Sequence, residues 1–306
     1  MSDYKNKINR NIVKSISYKS IRRKQLLLCI SGGIDSIYLY HNILQLVNKY
    51  ELKIAIAHVN YKTSKNSNYS MQLCRNLSRA NDHPFYLKIY NRAEVGNFEH
   101  LAREFRYSFF NSVKNIENYD FILTAHNNED LIETMYMQKQ NDEDFSIIPF
   151  NSSKDTILRP MINIKKDEIQ NYIKINKLKY YMDPTNSDIK YKRNNIRINI
   201  FPSINNRDEL FERLLKSYKL KINNYNKFST NFRLNKNKFI KYNRKTNTIK
   251  IYKSYLQNNS IYSFKLIVQG LIEEKYQKKI IKREKNWENL YKQIALPKNI
   301  HFAISD

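Results

Sequence analysis

Leu26-Leu27-Leu28-Cys29-Ile30-Ser31-Gly32-Gly33-Ile34-Asp35-Ser36-Ile37 is the stretch that decides the fold. An apolar run of strand length empties into a glycine pair, and a helical pattern follows at once with Ile37, Tyr40, Leu44 and Val47 at helical spacing. The chain has only four glycines in 306 residues, so two side by side mark a backbone that takes positive φ or lets a ligand approach with no Cβ in the way. The free N–H groups of such a loop and of the helix N-terminus converge on one spot, which is a site for an anion. A plain strand-turn-helix connection would need no ligand. Asp35 favours one: a carboxylate beside a phosphate cradle is repulsive unless a cation lies between them, which points to Mg²⁺ carried with a nucleotide.

Outward from this loop, strand-like runs at Leu26 to Ile30, Leu52 to Val59, Phe85 to Ile89 and Phe121 to Ala125 alternate with helical patterns. That alternation predicts an α/β domain with a doubly wound parallel sheet, its ligand at the carboxyl ends of the strands. Thr156 to Leu158 and a helical stretch from Lys166 to Lys177 complete this domain, set at residues 1–205. Beyond Pro202 the character changes. Between Glu212 and Glu273 there is no acidic residue, while fourteen Lys or Arg are interleaved with Tyr218, Tyr225, Tyr242, Tyr252, Tyr255 and Tyr262. Residues 206–306 are therefore expected to form a smaller, basic, mainly helical C-terminal domain whose cations meet phosphates and whose rings stack on unpaired bases. A solvated Lys-rich face over core tyrosines is the alternative.

The formal net charge of +26 fits a polyanionic partner such as RNA, although the Lys, Asn, Ile and Tyr bias also resembles the drift of an AT-rich genome. Two cysteines, Cys29 and Cys74, supply neither a disulfide framework nor a CxxC pair, so a reducing cytoplasmic setting is expected. No run of 18 apolar residues occurs, and no membrane association is expected. The sequence does not fix the oligomeric state and is compatible with a homodimer.

A second constellation, Thr124-Ala125-His126-Asn127-Asn128-Glu129-Asp130-Leu131-Ile132-Glu133-Thr134, sits at the end of the fourth strand. With a helix starting near Asn128, Asp130 and Glu133 share a face while Leu131 and Met135 turn to the core. Two carboxylates beside a phosphate site can hold Mg²⁺, and His126 can bond a phosphate or move a proton. The bland alternatives are a structural histidine and acids that favour a helix N-terminus. A helix over Phe98 to Phe110 is expected to bury Phe98, Leu101, Phe105 and Phe109 and to show Arg103 and Arg106 on another face, both within reach of one anion. A surface ion pair from Glu99 to Arg103 competes with that use.

Ser31 to Ser36 resembles the pyrophosphate loop of the ATP pyrophosphatase superfamily. The order of segments is more specific: His58-Val59-Asn60, Glu99-His100-Leu101-Ala102-Arg103-Glu104-Phe105-Arg106-Tyr107, Thr124-Ala125-His126 through Glu133-Thr134, Leu158-Arg159-Pro160, Asp183-Pro184-Thr185-Asn186 and Tyr191-Lys192-Arg193-Asn194-Asn195-Ile196-Arg197. Over roughly residues 20 to 202 this series resembles the tRNA(Ile)-lysidine synthase family. The resemblance implies an adenine nucleotide alpha hydrolase-like fold and a two-step ligation. ATP adenylates the carbonyl oxygen of cytosine at the first anticodon position of a CAU-bearing tRNA(Ile), and the amine of free lysine then displaces AMP.

Carried over residue by residue, the resemblance implies that Ser31, Gly32, Gly33, Ile34, Asp35 and Ser36 hold the pyrophosphate, with Asp35, Asp130 and Glu133 on Mg²⁺. It also implies that His126, Asp130 and Glu133 assist adenylation, that Arg103 or Arg106 meets the phosphates, and that Arg193, Asn194 and Arg197 close the site around lysine or the anticodon stem. The chain departs from the family pattern in three places. Tyr61-Lys62-Thr63-Ser64 lacks a glycine, Glu129-Asp130-Leu131 stands where Asp-Asp-Gln is usual, and Lys139-Gln140-Asn141-Asp142 replaces an Arg-Gly-rich loop. A tRNA thiolase, an NAD synthetase-like amidating ligase and a non-enzymatic RNA-binding protein remain as alternatives.

Overall fold

The computed structural model describes residues 22–62, 67–90, 98–140, 156–182, 187–206 and 208–217, and beyond them shorter stretches that include 240–243, 248–252 and positions around 264–271 and 287–292. The chain groups into two compact units, Met1–Glu133 with Pro149–Arg207, and Thr134–Ile148 with Asp208–Asp306.

The first unit is built on five parallel strands: β1 (Gln25–Cys29), β2 (Lys53–Asn60), β3 (Phe85–Ile89), β4 (Phe121–Thr124) and β5 (Ile157–Leu158), in the order β3-β2-β1-β4-β5. Helices α1 (Ile34–Tyr50), α2 (Ser67–Ala80), α3 (Phe98–Ile116), α4 (Asn128–Gln140) and α5 (Lys166–Ile175) follow these strands in turn. The doubly wound parallel sheet is thus the one the sequence predicts, with strand limits within a residue or two of expectation.

Central strand β1 is buried on both faces, as the unbroken apolar run requires. Leu26 and Leu28 pack with Ile37, Leu39 and Ile43 of α1, Cys74 of α2 and Ile169 and Ile173 of α5. Leu27 faces the other way, toward Ala55, Ala57, Ile122 and the α3 residues Phe110 and Val113. Tyr172 of α5 meets Tyr38 of α1 edge-on at 4.9 Å, and its hydroxyl lies 2.8 Å from His41 Nδ1.

Two helical expectations are corrected. Helix α3 runs on to Ile116, and its buried stripe is Ala102, Phe110 and Val113, with Phe105 and Phe109 partly covered. Leu101 is 38% exposed, because the face that meets the sheet starts one residue later, at Ala102. The side chain of Phe98 lies outside the described residues. Helix α5 stops at Ile175, where Lys177 takes φ 49° and turns the chain out of the helix.

A short helix α6 (Lys192–Asn195) continues through a π-helical turn (Ile196–Ile200) into α7 (Phe201–Ser203). Within the second unit, strands β6 (Ile240–Asn243) and β7 (Thr248–Ile251) form an antiparallel hairpin that the expectation of a mainly helical region did not name. There Phe264 lies edge-on to Trp287 at 6.2 Å, and both are fully buried. No helix among the described residues is long and apolar enough to cross a membrane.

Candidate active site

The strand order explains why two motifs far apart in sequence meet. The chain leaves β1 toward β2 and β3, then returns to the other side of β1 with β4, so the order reverses between β1 and β4 and opens a crevice at their carboxyl ends. The Ser31–Ser36 loop leaves β1 there, and the His126 segment leaves β4 beside it.

The loop is held by its own hydrogen bonds and by its neighbours. Gly32 takes φ 88°, and a Cβ on it would lie 3.1 Å from Ser70 Cβ of α2, so both torsion and space demand glycine. Gly33 is extended, caps α1 without a side-chain bond and has room for a Cβ at ordinary contact distance, so its bareness serves approach from outside. The buried Ser36 hydroxyl accepts from Gly32 N (3.0 Å) and donates to Gly33 O (2.8 Å), which makes it a brace of the loop. Ser31 Oγ accepts from Gly33 N at 3.3 Å. The first-turn amides of α1 carry no side-chain cap and point toward solvent or a ligand. From below, the Ile30 carbonyl accepts from His58 Nδ1 (2.8 Å) and Cys74 Sγ (3.6 Å), while the Gly32 carbonyl accepts from Tyr181 N (2.8 Å).

Asp35, at the start of α1, has both carboxylate oxygens 2.7 Å from Lys166 Nζ and accepts from Asn127 Nδ2 at 3.1 Å. Asn127 is the junction of the two motifs. Its backbone N–H donates to Asp130 Oδ2 (2.9 Å), and its Oδ1 accepts from Asp130 N (3.1 Å), a reciprocal capping box at the start of α4. Burial pushes the Asp130 carboxyl up, and the nearby charge of Asp35 adds to the shift.

One turn on, Glu133 is fully buried; its Oε1 accepts from Arg197 Nε at 2.7 Å, and its Oε2 has no partner. Burial raises its pKa to about 7 against the opposing pull of Arg197. Arg197 stands on the π-helical turn, and its Nη2 also lies 3.7 Å from Asp130 Oδ1.

His126 Nδ1 lies 2.9 Å from Thr124 Oγ1. Burial, reinforced by the charges of Arg159, Arg106, Arg103 and Arg193, holds the imidazole well below its ordinary pKa, so it is neutral near pH 7. Arg103 and Arg106 both lie over the Tyr107 ring, at 4.8 and 5.7 Å. Four arginines from α3, the end of β5 and α6 thus place their charge around one uncharged base, a setting for an anion. Asn194 instead donates to Asp188 O at 2.9 Å and ties down its own loop.

Among the described residues no group of three acidic, histidine or cysteine side chains is gathered to hold a metal. Mg²⁺ needs only one or two protein carboxylates together with phosphate oxygens, and Asp35 with Asp130, joined through Asn127, fits that need. Glu133 fits it less well, since Arg197 holds one of its oxygens.

Three residues of this site carried no role in the sequence reading. Asn127 is betrayed by its place three residues before Asp130, the spacing of a capping box. Lys166 stands at a helix N-terminus, where a cation is disfavoured and so calls for another reason. Arg159 lies between Leu158 and Pro160 and is 5% exposed, unusual burial for an arginine. Asp183-Pro184-Thr185-Asn186 and the side chains of Glu99 and His100 lie outside the described residues.

The chain is similar to a tRNA(Ile)-lysidine synthase from Mycoplasma mycoides subsp. mycoides, 38% identical over 183 residues that cover 58% of this chain and 45% of that protein. It is also similar to a tRNA(Ile)-lysidine synthase from Mesoplasma florum, 32% identical over 225 residues, 69% of this chain and 56% of that one. The chain spans about half the length of the curated relatives it matches. Among solved structures, the U34-tRNA thiolase NcsA from Methanococcus maripaludis shares the fold, with a TM-score of 0.58 at 15% identity over 71% of this chain and 78% of that one. The family model of the PP-loop domain matches residues 4–204, two thirds of the chain, and the protein belongs to that family.

Proposed function

We propose that this protein is a tRNA(Ile)-lysidine synthase, using ATP to activate the cytosine at the first anticodon position of a CAU-bearing tRNA(Ile) and free lysine to convert it to lysidine. The observation that carries the proposal is the Asn127 bridge. It joins the carboxylate of the phosphate loop to the acidic face of α4 at the sheet's switch point, beside four arginines and a neutral histidine.

The first-turn amides of α1 receive the pyrophosphate end of ATP, and Gly33 allows the close approach. Mg²⁺, held by Asp35 and Asp130, would neutralise phosphate charge as the α-phosphate is attacked. Arg103, Arg106, Arg159 and Arg193 stabilise the charge that develops there, in a site where burial strengthens each contact. The cytosine carbonyl oxygen attacks the α-phosphorus and pyrophosphate leaves. The lysine amine then attacks the activated carbon and AMP leaves, so one hard displacement becomes two easier ones.

Lysine's ammonium must first lose a proton. Glu133, with a pKa of about 7 and a buried Oε2 that lacks a hydrogen-bond partner, is the proposed acceptor. His126, already neutral, bonds rather than charges the anion. The basic residues 206–306, proposed as a domain of their own, serve the tRNA, and such substrates place the reaction in the cytoplasm.

A thiolase reading is disfavoured by the thiols. Burial pushes Cys74 up to about 12 and Cys29 well above its ordinary value, which disfavours either as a free thiolate nucleophile.

The test is incubation with a CAU-bearing tRNA(Ile) transcript, ATP, Mg²⁺ and labelled lysine, followed by mass spectrometry of the anticodon nucleoside. Lysidine should form only with ATP, and Asp35→Ala should abolish it. Incorporation without ATP, or a thiolated base, would defeat the proposal.

A further inference from the structure

Helix α5 opens with a cation in the wrong place. Its cap is Lys165 and its first residue Lys166, although the positive end of the helix dipole disfavours cations there. Lys165 makes no capping bond, and the acids that the dipole favours in this first turn are Asp167 and Glu168. The reason for Lys166 lies on the neighbouring helix α1, where its ammonium sits 2.7 Å from each oxygen of Asp35, 131 residues away in sequence.

The two side chains are 24% and 29% exposed, so the pair is reachable from the crevice and can open without unpacking the core. Asp35 in turn stands in the first turn of α1, among the amides that make the phosphate cradle. An unpaired carboxylate there would repel any phosphate arriving without a metal.

We propose that Lys166 is a residue of the nucleotide site: it is the resident counter-ion of Asp35 while the cradle is empty, and it passes to a phosphate oxygen when a metal-bound triphosphate takes over Asp35. The inference rests on the function proposed above. It adds that the cradle is electrically balanced before ligand arrives, so that a phosphate chain binds even without metal, and that Lys166 meets the phosphates afterwards. A compact, strongly hydrated ammonium on a flexible stem suits such a transfer between two oxyanion partners better than a planar guanidinium would.

The test is isothermal titration with inorganic pyrophosphate and with ATP at fixed ionic strength, in EDTA and in Mg²⁺, on the full chain and on Lys166→Met, Lys166→Gln, Asp35→Asn and the double variant Asp35→Asn/Lys166→Met. Removing one member of the pair changes the local charge by one unit, and removing both restores it. In EDTA, Asp35→Asn should bind pyrophosphate at least threefold more tightly than the unmodified chain. Both Lys166 variants should bind at least tenfold more weakly, and the double variant should fall within about threefold of the unmodified chain. In Mg²⁺ the loss at Lys166 should shrink, and Asp35→Asn should become the weaker binder.

An ion pair with only a structural role would lower the melting temperature of both single variants and leave the order in EDTA flat, and that result overturns the inference. If the unmodified chain binds ATP in Mg²⁺ while the EDTA order is flat, the inference alone fails. If it binds neither ligand even in Mg²⁺, the proposed function fails with it.

Discussion

Glu133 shows how one side chain can join stability to chemistry. It is fully buried, has a pKa raised to about 7, and is held by Arg197 through one oxygen. A carboxyl whose folded pKa lies above its unfolded value binds its proton more tightly in the native state. The stability this gives is complete below about pH 4.5 and is lost as pH rises toward 7, at up to about 1.4 kcal/mol per pH unit. Above that range the ionised group depends on Arg197. Arg197→Met should therefore cost about 1.4 kcal/mol more at pH 8 than at pH 6, because at pH 8 a Glu133 without its partner must first take up a proton, whereas at pH 6 it already carries one. Urea unfolding at the two pH values measures this, and an equal loss at both would show that Glu133 is not the group responsible.

At the scale of elements, the turn between β1 and α1 makes two glycines do different work. Gly32→Ala meets both a positive φ and the Ser70 backbone, and should cost about 2 kcal/mol. Gly33→Ala should stay within about 0.5 kcal/mol, because its Cβ would meet Ser31 Oγ and Tyr181 O only at 3.4 and 3.9 Å, and under the proposed function it should weaken ATP binding by crowding the loop. Denaturation curves and ATP titrations on the two variants separate these effects, and equal stability losses would contradict the contact with Ser70.

The same turn shows what was legible in the sequence. The apolar run, the glycine pair and the alternation of periods specify β1, the loop and the parallel sheet, because burial on both faces of a central strand leaves a continuous apolar signature. The face of α3 was misjudged at Leu101 because five bulky apolar residues within thirteen allow more than one stripe, and only the sheet chooses among them. Asp130, Glu133 and Arg197 were named, but their linkage through Asn127 and the π-helical turn was not, since pairings between distant segments follow from strand order and leave no local pattern. Lys166 escaped for the same reason, although its misfit with the dipole of α5 was visible all along.

For the whole molecule, a formal net charge of +26 bears on the proposed tRNA substrate. If the cations of residues 206–306 neutralise tRNA phosphates, affinity for tRNA should fall on the order of a hundredfold or more between 50 and 200 mM salt. Filter binding across that range measures the slope, and a flat response would assign the charge to compositional drift.

The hydrogen bond from the Tyr181 amide to the Gly32 carbonyl carries a consequence of its own. A segment late in the first unit is fastened to the Ser31–Ser36 loop, so anything that stiffens this loop should slow deuterium uptake at Tyr181. That single amide would then serve as a spectroscopic witness of nucleotide occupancy, readable with no tRNA in the sample.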